Sequence, residues 1–273
     1  MTRLLQLSDL HVRARPLAHE NRHLRNVVAN LVRTYNDGDK PVVVITGDIT
    51  QNGHPREYEN ALAILGTLKT AGFELFIVPG NHDVAVRGHM FRKKAQLRFQ
   101  RKILGELMGL TQAQQDTCVM DQLYPLVRTY NNVRIIGLDS ANSSTFVATG
   151  EIGKPQLDKL AAELMAPRGD CERVVICLHH HPFYREVGHR LNDSAALQKA
   201  VYGRAHVVMF GHRHRSERWR DKLGVPIVYA SGQTNAPTRR QVADGRTRVY
   251  EVRGVDIDAE GKLSGRVDLF PCK

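Results

Sequence analysis

Short apolar runs alternate along the chain with longer stretches in which apolar and polar residues recur at helical spacing. The runs at 4–7, 42–45, 75–78, 133–138, 174–178, 206–210 and 227–229 predict strands. Most are followed at once by Gly, Pro, Asp, Asn, Ser or His, so each predicted strand ends in a turn. Between them, 18–35, 55–71, 155–165 and 193–202 carry helical patterns, and Lys154-Pro155 places a proline where a first helical turn tolerates it. Alternation of this kind predicts an α/β fold with helices layered on a sheet. The last part differs: 246–252 and 266–270 read as strands with no helix between them, which a second sheet packed on the first would accommodate. The segment at about 87–130 is charged and helix-prone, and is expected to form a cap or accessory helical insertion in a single domain spanning 1–273.

The polar residues that follow the strands form a pattern of their own. In chain order they are Asp9-Leu10-His11, Gly47-Asp48-Ile49, Pro79-Gly80-Asn81-His82-Asp83, His179-His180-His181-Pro182 and Gly211-His212-Arg213-His214. Taken singly, each has an ordinary explanation as a helix cap, a turn or a surface histidine. Five such groups, each at the carboxyl end of a predicted strand where open α/β sheets place their sites, are not explained by turns. Carboxylate, imidazole and amide oxygen together suit borderline and hard cations. A single carboxylate such as Asp48 can bridge two cations with its two oxygens. Two cations about 3.5–4 Å apart clamp the attacking and leaving oxygens of an in-line displacement and make hydroxide available near neutral pH.

D-x-H, G-D, G-N-H-D, a His pair before Pro, and G-H-x-H together resemble the calcineurin-like metallophosphoesterases, over about residues 4–214. Thr149-Gly150-Glu151-Ile152 with Gln156-Leu157, and Leu178 through Pro182, are most similar to bacterial class III cyclic-nucleotide phosphodiesterases and glycerophosphodiesterases. The resemblance implies a four-layer α/β/β/α sandwich of two mixed sheets flanked by helices. It implies one cation held by Asp9, His11, Asp48 and His214, and another by Asp48, Asn81, His179 and His212. It also implies that His82 contacts phosphate and protonates the leaving oxygen, that Asp83 orients His82, and that Asn81 and His214 help bind substrate. The ions would be manganese, iron or zinc. Three histidines precede Pro182, so the register leaves two candidates: His179, which directly follows the apolar run, or His180, counted back from the proline.

Charge and cysteine content narrow the remaining choices. The formal net charge is +11, which favours anionic partners such as nucleotides, nucleic acid or anionic lipid. Cys118, Cys171, Cys177 and Cys272 form no C-x-x-C pair and predict neither a disulfide framework nor a cysteine zinc site. The first residues lack a secretory apolar core, and no apolar run approaches the ~20 residues needed to cross a bilayer, so a cytoplasmic protein is expected, with peripheral membrane contact open. Arg87, Arg92, Lys93, Lys94, Arg98, Arg101 and Lys102 give the insertion a basic face beside an apolar stripe of Met90, Phe91, Ala95, Phe99, Ile103 and Leu107. That face is either solvated or attracts an anionic substrate or membrane. Arg213, Arg215, Arg218 and Arg220 around Trp219 offer a second basic patch or a solvated loop or strand. Asn52, Gly53 and His54 either reach substrate or form a loop, and Asp139-Ser140 reads as a turn. The expected activity is hydrolysis of a cyclic nucleotide or other small phosphodiester by water activated between two cations. The alternatives are a pyrophosphatase of a lipid-linked nucleotide such as UDP-diacylglucosamine, and a metal-dependent nuclease.

Overall fold

A computed structural model describes all residues except 117–122, 142–147, 170–171, 185, 187, 243–244 and 273. Its first half alternates β1 (Thr2–Leu7), α1 (His19–Thr34), β2 (Val42–Thr46), α2 (Pro55–Thr70) and β3 (Leu75–Val78). These three strands are parallel neighbours. The long strand β13 (Gly245–Ile257) extends their sheet by pairing antiparallel with β1, and carries β12 (Thr238–Val242) and β14 (Leu263–Pro271).

The second sheet runs β10 (Glu217–Lys222), β11 (Val225–Ala230), β9 (Val207–Phe210), β8 (Arg173–Cys177), β7 (Val133–Gly137), β6 (Leu126–Tyr130). Its four central strands are parallel and its two edges antiparallel.

Alternation along these strands explains why the sheets stack. Ile135, Val175, Cys177, Val207, Met209, Ile227 and Tyr229 face the first sheet and join its core. Their neighbours Ile136, Val174, Ile176, Val208, Phe210 and Val228 point the other way, onto the helices Lys154–Met165 and Ser194–Val201. Side chains on a strand alternate between faces, so a run that is apolar at every position is buried on both sides. With α1 and α2 covering the first sheet, the layers are α/β/β/α.

The basic segment differs from its expected form at both ends. It opens as a two-stranded hairpin, β4 (Ala85–Val86) and β5 (Met90–Phe91), with Gly88 at the bend. A continuous helical stretch follows, Lys93–Arg98, Phe99–Leu104 wound more widely as a π-helix, and Gly105–Met108. Its last residues are strand β6, an edge of the second sheet. Phe99, Ile103 and Leu107 are buried in the main core, so the stretch belongs to the helical layer, while Met90 and Phe91 sit on the hairpin. Ile103→Ala would remove a buried side chain at a cost of about 2–5 kcal/mol. Among the described residues no helix is long and apolar enough to cross a membrane.

Candidate metal centre

All five polar groups converge at the carboxyl ends of β1, β2, β3, β8 and β9. The backbone there is unusual. Asp9 (φ 53°), His11 (φ 45°), Asp48 (φ 53°), His212 (φ 73°) and His214 (φ 53°) all lie in the left-handed region. An L residue held there costs of order 1–3 kcal/mol, and such residues persist where surrounding structure over-determines them, which is common at functional sites. Gly47 shows how tight the cradle is. Its φ is +85°, and a Cβ there would stand 2.7 Å from both the Gly80 nitrogen and His179 Nδ1.

Two donor groups meet across Asp48. On one side, His11 Nε2 and His214 Nε2 are 2.9 Å apart, and His214 Nε2 is 3.3 Å from Asp9 Oδ1. On the other, Asn81 Oδ1 lies 3.0 Å from His179 Nε2 and 3.2 Å from His212 Nδ1. Asp48 Oδ2 stands between them, 3.3 Å from His179 Nε2 and 3.9 Å from His11 Nε2. The other oxygen, Oδ1, accepts the His82 backbone N–H at 2.9 Å. One oxygen of Asp48 therefore faces both groups, where one oxygen for each had been expected. Asp9, His11 and His214 form one set of carboxylate and imidazole donors of metal-binding proximity, and Asp48, His179 and His212 another; a third joins His11, Asp48 and His82.

Hydrogen bonds fix which atoms point inward. His179 Nδ1–H donates to the Thr46 carbonyl at 2.8 Å, which turns its Nε2 into the centre. The Asn81 amide nitrogen donates to the Gly88 carbonyl at 2.8 Å, which turns its oxygen inward. Asn81 Oδ1 and His179 Nε2 then face one another across 3.0 Å, an arrangement that calls for a proton on Nε2 or a cation in its place. Imidazole held by a carbonyl on its far nitrogen is the usual setting of a metal-ligating histidine.

The electrostatics agree. Burial acts to lower the His179 pKa, but the Asp48 and Asp9 carboxylates outweigh it and raise it to about 9, so the pocket draws positive charge. Burial likewise works against ionised Asp9 and Asp48, yet the imidazoles around them hold both carboxylates below their ordinary range. Burial brings His11 down to about 4, which keeps its ring neutral and able to donate a lone pair.

The two candidate histidines separate cleanly. His180 is also fully buried, but its Nδ1 lies 2.9 Å from the Ser140 hydroxyl, and that oxygen also accepts the backbone N–H of His179 and His180. The Gly150 and Gln156 motif supports this pair from behind. The His180 ring packs so closely on Gly150 that no Cβ fits, and Gln156 exchanges two 3.0 Å hydrogen bonds with the Asp139 backbone.

His82 stands beside the centre, its ring centroid 4.8 Å from that of His11. Its Nδ1–H donates to the Gln51 carbonyl at 2.7 Å. Asp83 had been expected to orient this ring, but its carboxylate instead accepts backbone N–H groups of Thr50 (2.8 Å), Gly80 (3.0 Å) and Ile49 (3.2 Å), tying the β2 and β3 loops together. Burial, then the nearby Asp48, raises the Asp83 pKa to about 6. The Gln51, Thr46 and Gly88 carbonyls that aim the side chains leave no sequence signal, because every residue has one. Ser140 was visible only as a turn residue. His54 caps the start of α2 with a capping box through Glu57, and Trp219 packs against Phe183 and Phe210 on edge strand β10.

Comparison with known proteins bears on family and fold. The calcineurin-like phosphoesterase family model matches residues 2–216. A probable cyclic nucleotide phosphodiesterase of Rhodococcus erythropolis is 28% identical over 239 residues, covering 84% of this chain and 69% of that protein. A 3′,5′-cyclic-nucleotide phosphodiesterase of Nostoc is 26% identical over 238 residues, covering 79% of this chain and 72% of the relative. The fold is similar to that of a dimetal phosphatase from Danio rerio, with a TM-score of 0.62, 17% identity and coverage of 99% and 98% of the two chains.

Proposed function

Because the chain belongs to the calcineurin-like phosphoesterase family, and so is a hydrolase of phosphoric esters, we propose that it is a two-cation phosphodiesterase acting on a cyclic nucleotide or another small phosphodiester. The observation that carries this is the pair of donor groups on either side of Asp48, whose Oδ2 faces both. Asp9, His11, Asp48 and His214 would hold one ion, and Asp48, Asn81, His179 and His212 the other. The inward-facing acceptors at Asn81 and His179 fit such an ion, and the mixed oxygen and imidazole donors suit manganese, iron or zinc. Bound there, the ions would lower the pKa of water and withdraw charge from the phosphoryl oxygens.

The chain's own residues supply the rest. Gln51 holds the Nδ1 side of His82, leaving Nε2 free to carry the proton needed by the leaving oxygen. Water adds to phosphorus and gives up a proton to solvent, the bond to the leaving oxygen breaks, that oxygen takes the proton from His82, and His82 regains one from solvent. Asn81 and His214, whose side chain is 46% exposed, border the place where phosphate would sit. Asp48 holds the His82 main chain through its backbone N–H, which ties the acid's position to the ion-holding carboxylate.

The two cyclic-nucleotide phosphodiesterases that the chain resembles favour a diester over a monoester. Steady-state hydrolysis of cyclic AMP, bis(p-nitrophenyl) phosphate and p-nitrophenyl phosphate with manganese tests this. Diesters should be cleaved with the higher kcat/KM. A monoester preferred by a large factor would overturn the diester assignment.

A further inference from the structure

Beside the metal centre lies a second cavity, of about 740 Å³, that the chemistry above does not use. Its floor is apolar, formed by Pro55, Val86 and Ala95, and its cations are Arg92, Lys93, Lys94 and Arg98. Two of its lining residues adjoin, along the chain, groups that hold or touch His82. Asn52, in its lining, follows Gln51, whose carbonyl holds the His82 ring. Val86, also in its lining, belongs to the hairpin whose Gly88 packs directly against the His82 ring and accepts the Asn81 amide.

The charge there is only partly neutralised. Residues 87–105 hold seven Lys and Arg and no Asp or Glu. Among the described residues no carboxylate pairs with Arg92, Lys94 or Arg98. Unpaired cations beside an apolar floor fit a ligand with a flat apolar body and an anionic group at its end, since guanidinium and ammonium bind phosphate strongly. We infer that this cavity is a subsite for a second phosphate, so that the substrate is a nucleotide bearing one phosphoryl group at the metal centre and another, one nucleoside away, against Arg92 and Lys94. The base or sugar rests on Pro55, Val86 and Ala95. The inference rests on the phosphodiesterase reading and specifies its substrate.

The test compares ApA with pApA, which differ only by a terminal phosphate, and uses bis(p-nitrophenyl) phosphate as reference. Each is assayed with manganese on the wild type and on the double variant R92E/K94E. Both residues are exposed, so the core is untouched. The terminal phosphate should raise wild-type kcat/KM by about tenfold, as expected for two exposed ion pairs. That gain should shrink as salt rises. In the variant the ratio should fall to near one while the rate on the reference diester holds.

Equal rates on ApA and pApA in the wild type would overturn the subsite. So would equal losses on both in the variant, which is the signature of general attraction. If none of the three compounds is cleaved, the phosphodiesterase reading fails instead. Calorimetric binding of adenosine 3′,5′-bisphosphate against AMP then still reads the cavity: tighter binding of the bisphosphate that vanishes in R92E/K94E supports it, and equal binding contradicts it.

Discussion

The metal centre and the basic segment next to it are built on opposite plans. The centre draws its side chains from loops more than 200 residues apart in the chain, holds five of them at positive φ, and aims His179 and Asn81 inward by hydrogen bonds to backbone carbonyls. The basic segment is one contiguous stretch whose apolar side is buried in the core and whose Arg92, Lys94 and Arg98 have no carboxylate partner among the described residues. A site that must place several donors within a few ångströms needs parts locked from many directions. A surface that only selects its ligand by charge can be a single exposed element. On this account, changes in the first region should remove turnover and bound metal, and changes in the second should alter substrate preference.

The largest effect is expected at Asp48. Its Oδ2 faces both donor groups and its Oδ1 holds the His82 backbone, so Asp48→Asn weakens three functions together. The loss in kcat should exceed the roughly 10²–10⁴-fold that a positioned general acid contributes. Metal content should fall with it. Near-normal turnover with full metal content would remove Asp48 from its shared position.

His82→Ala comes next and should distinguish acid from ligand. Alkyl phosphodiesters should lose about 10²–10⁴-fold, while nitrophenyl esters, whose leaving group needs little protonation, should lose far less. Metal content should be unchanged. Equal losses on both ester types would mean that His82 binds phosphate without protonating it.

The neighbouring histidines sharpen the contrast within a single strand end. His179→Ala should release one ion per chain. His180→Ala should keep both, because its Nδ1 is engaged with the Ser140 hydroxyl, although its ring packs on that of His212. Metal analysis of the two variants decides it, and loss of an ion from His180→Ala alone would exchange their roles.

The smallest effect is a matter of stability. Gly47→Ala forces an alanine to φ +85° against the Gly80 backbone. Thermal or denaturant unfolding should show a loss of about 1–3 kcal/mol, the usual cost of a strained backbone position. An unchanged midpoint would mean that this loop is less tightly fixed than the contacts indicate.

The sequence carried the parallel strands and the site residues because both leave side-chain patterns. A strand buried on both faces is an unbroken apolar run, and its carboxyl end is where polar groups stand out, as at Asp9, Asp48 and His179. The edge strands were hidden for the converse reason. Glu217–Lys222 is mostly exposed and charged, so β10 has no apolar run to betray it, and β6 was absorbed into the charged segment before it. The hairpin at Ala85–Phe91 is fixed by pairing between two-residue strands, too short for periodicity to register. At the centre, residue identity predicted which side chains gather but not which partner aims each one. Asp83 could be read as an orienter of its neighbour His82, yet its oxygens are taken by three backbone N–H groups, and a carbonyl orients His82 instead.

The central claim is that two cations, held on either side of Asp48, are both needed for hydrolysis. Metal-free protein titrated with manganese, with bound ion counted by mass spectrometry and turnover of bis(p-nitrophenyl) phosphate followed in the same samples, tests it directly. The account predicts saturation at two ions per chain, with turnover rising as the second ion binds. Full activity at one ion per chain would contradict it.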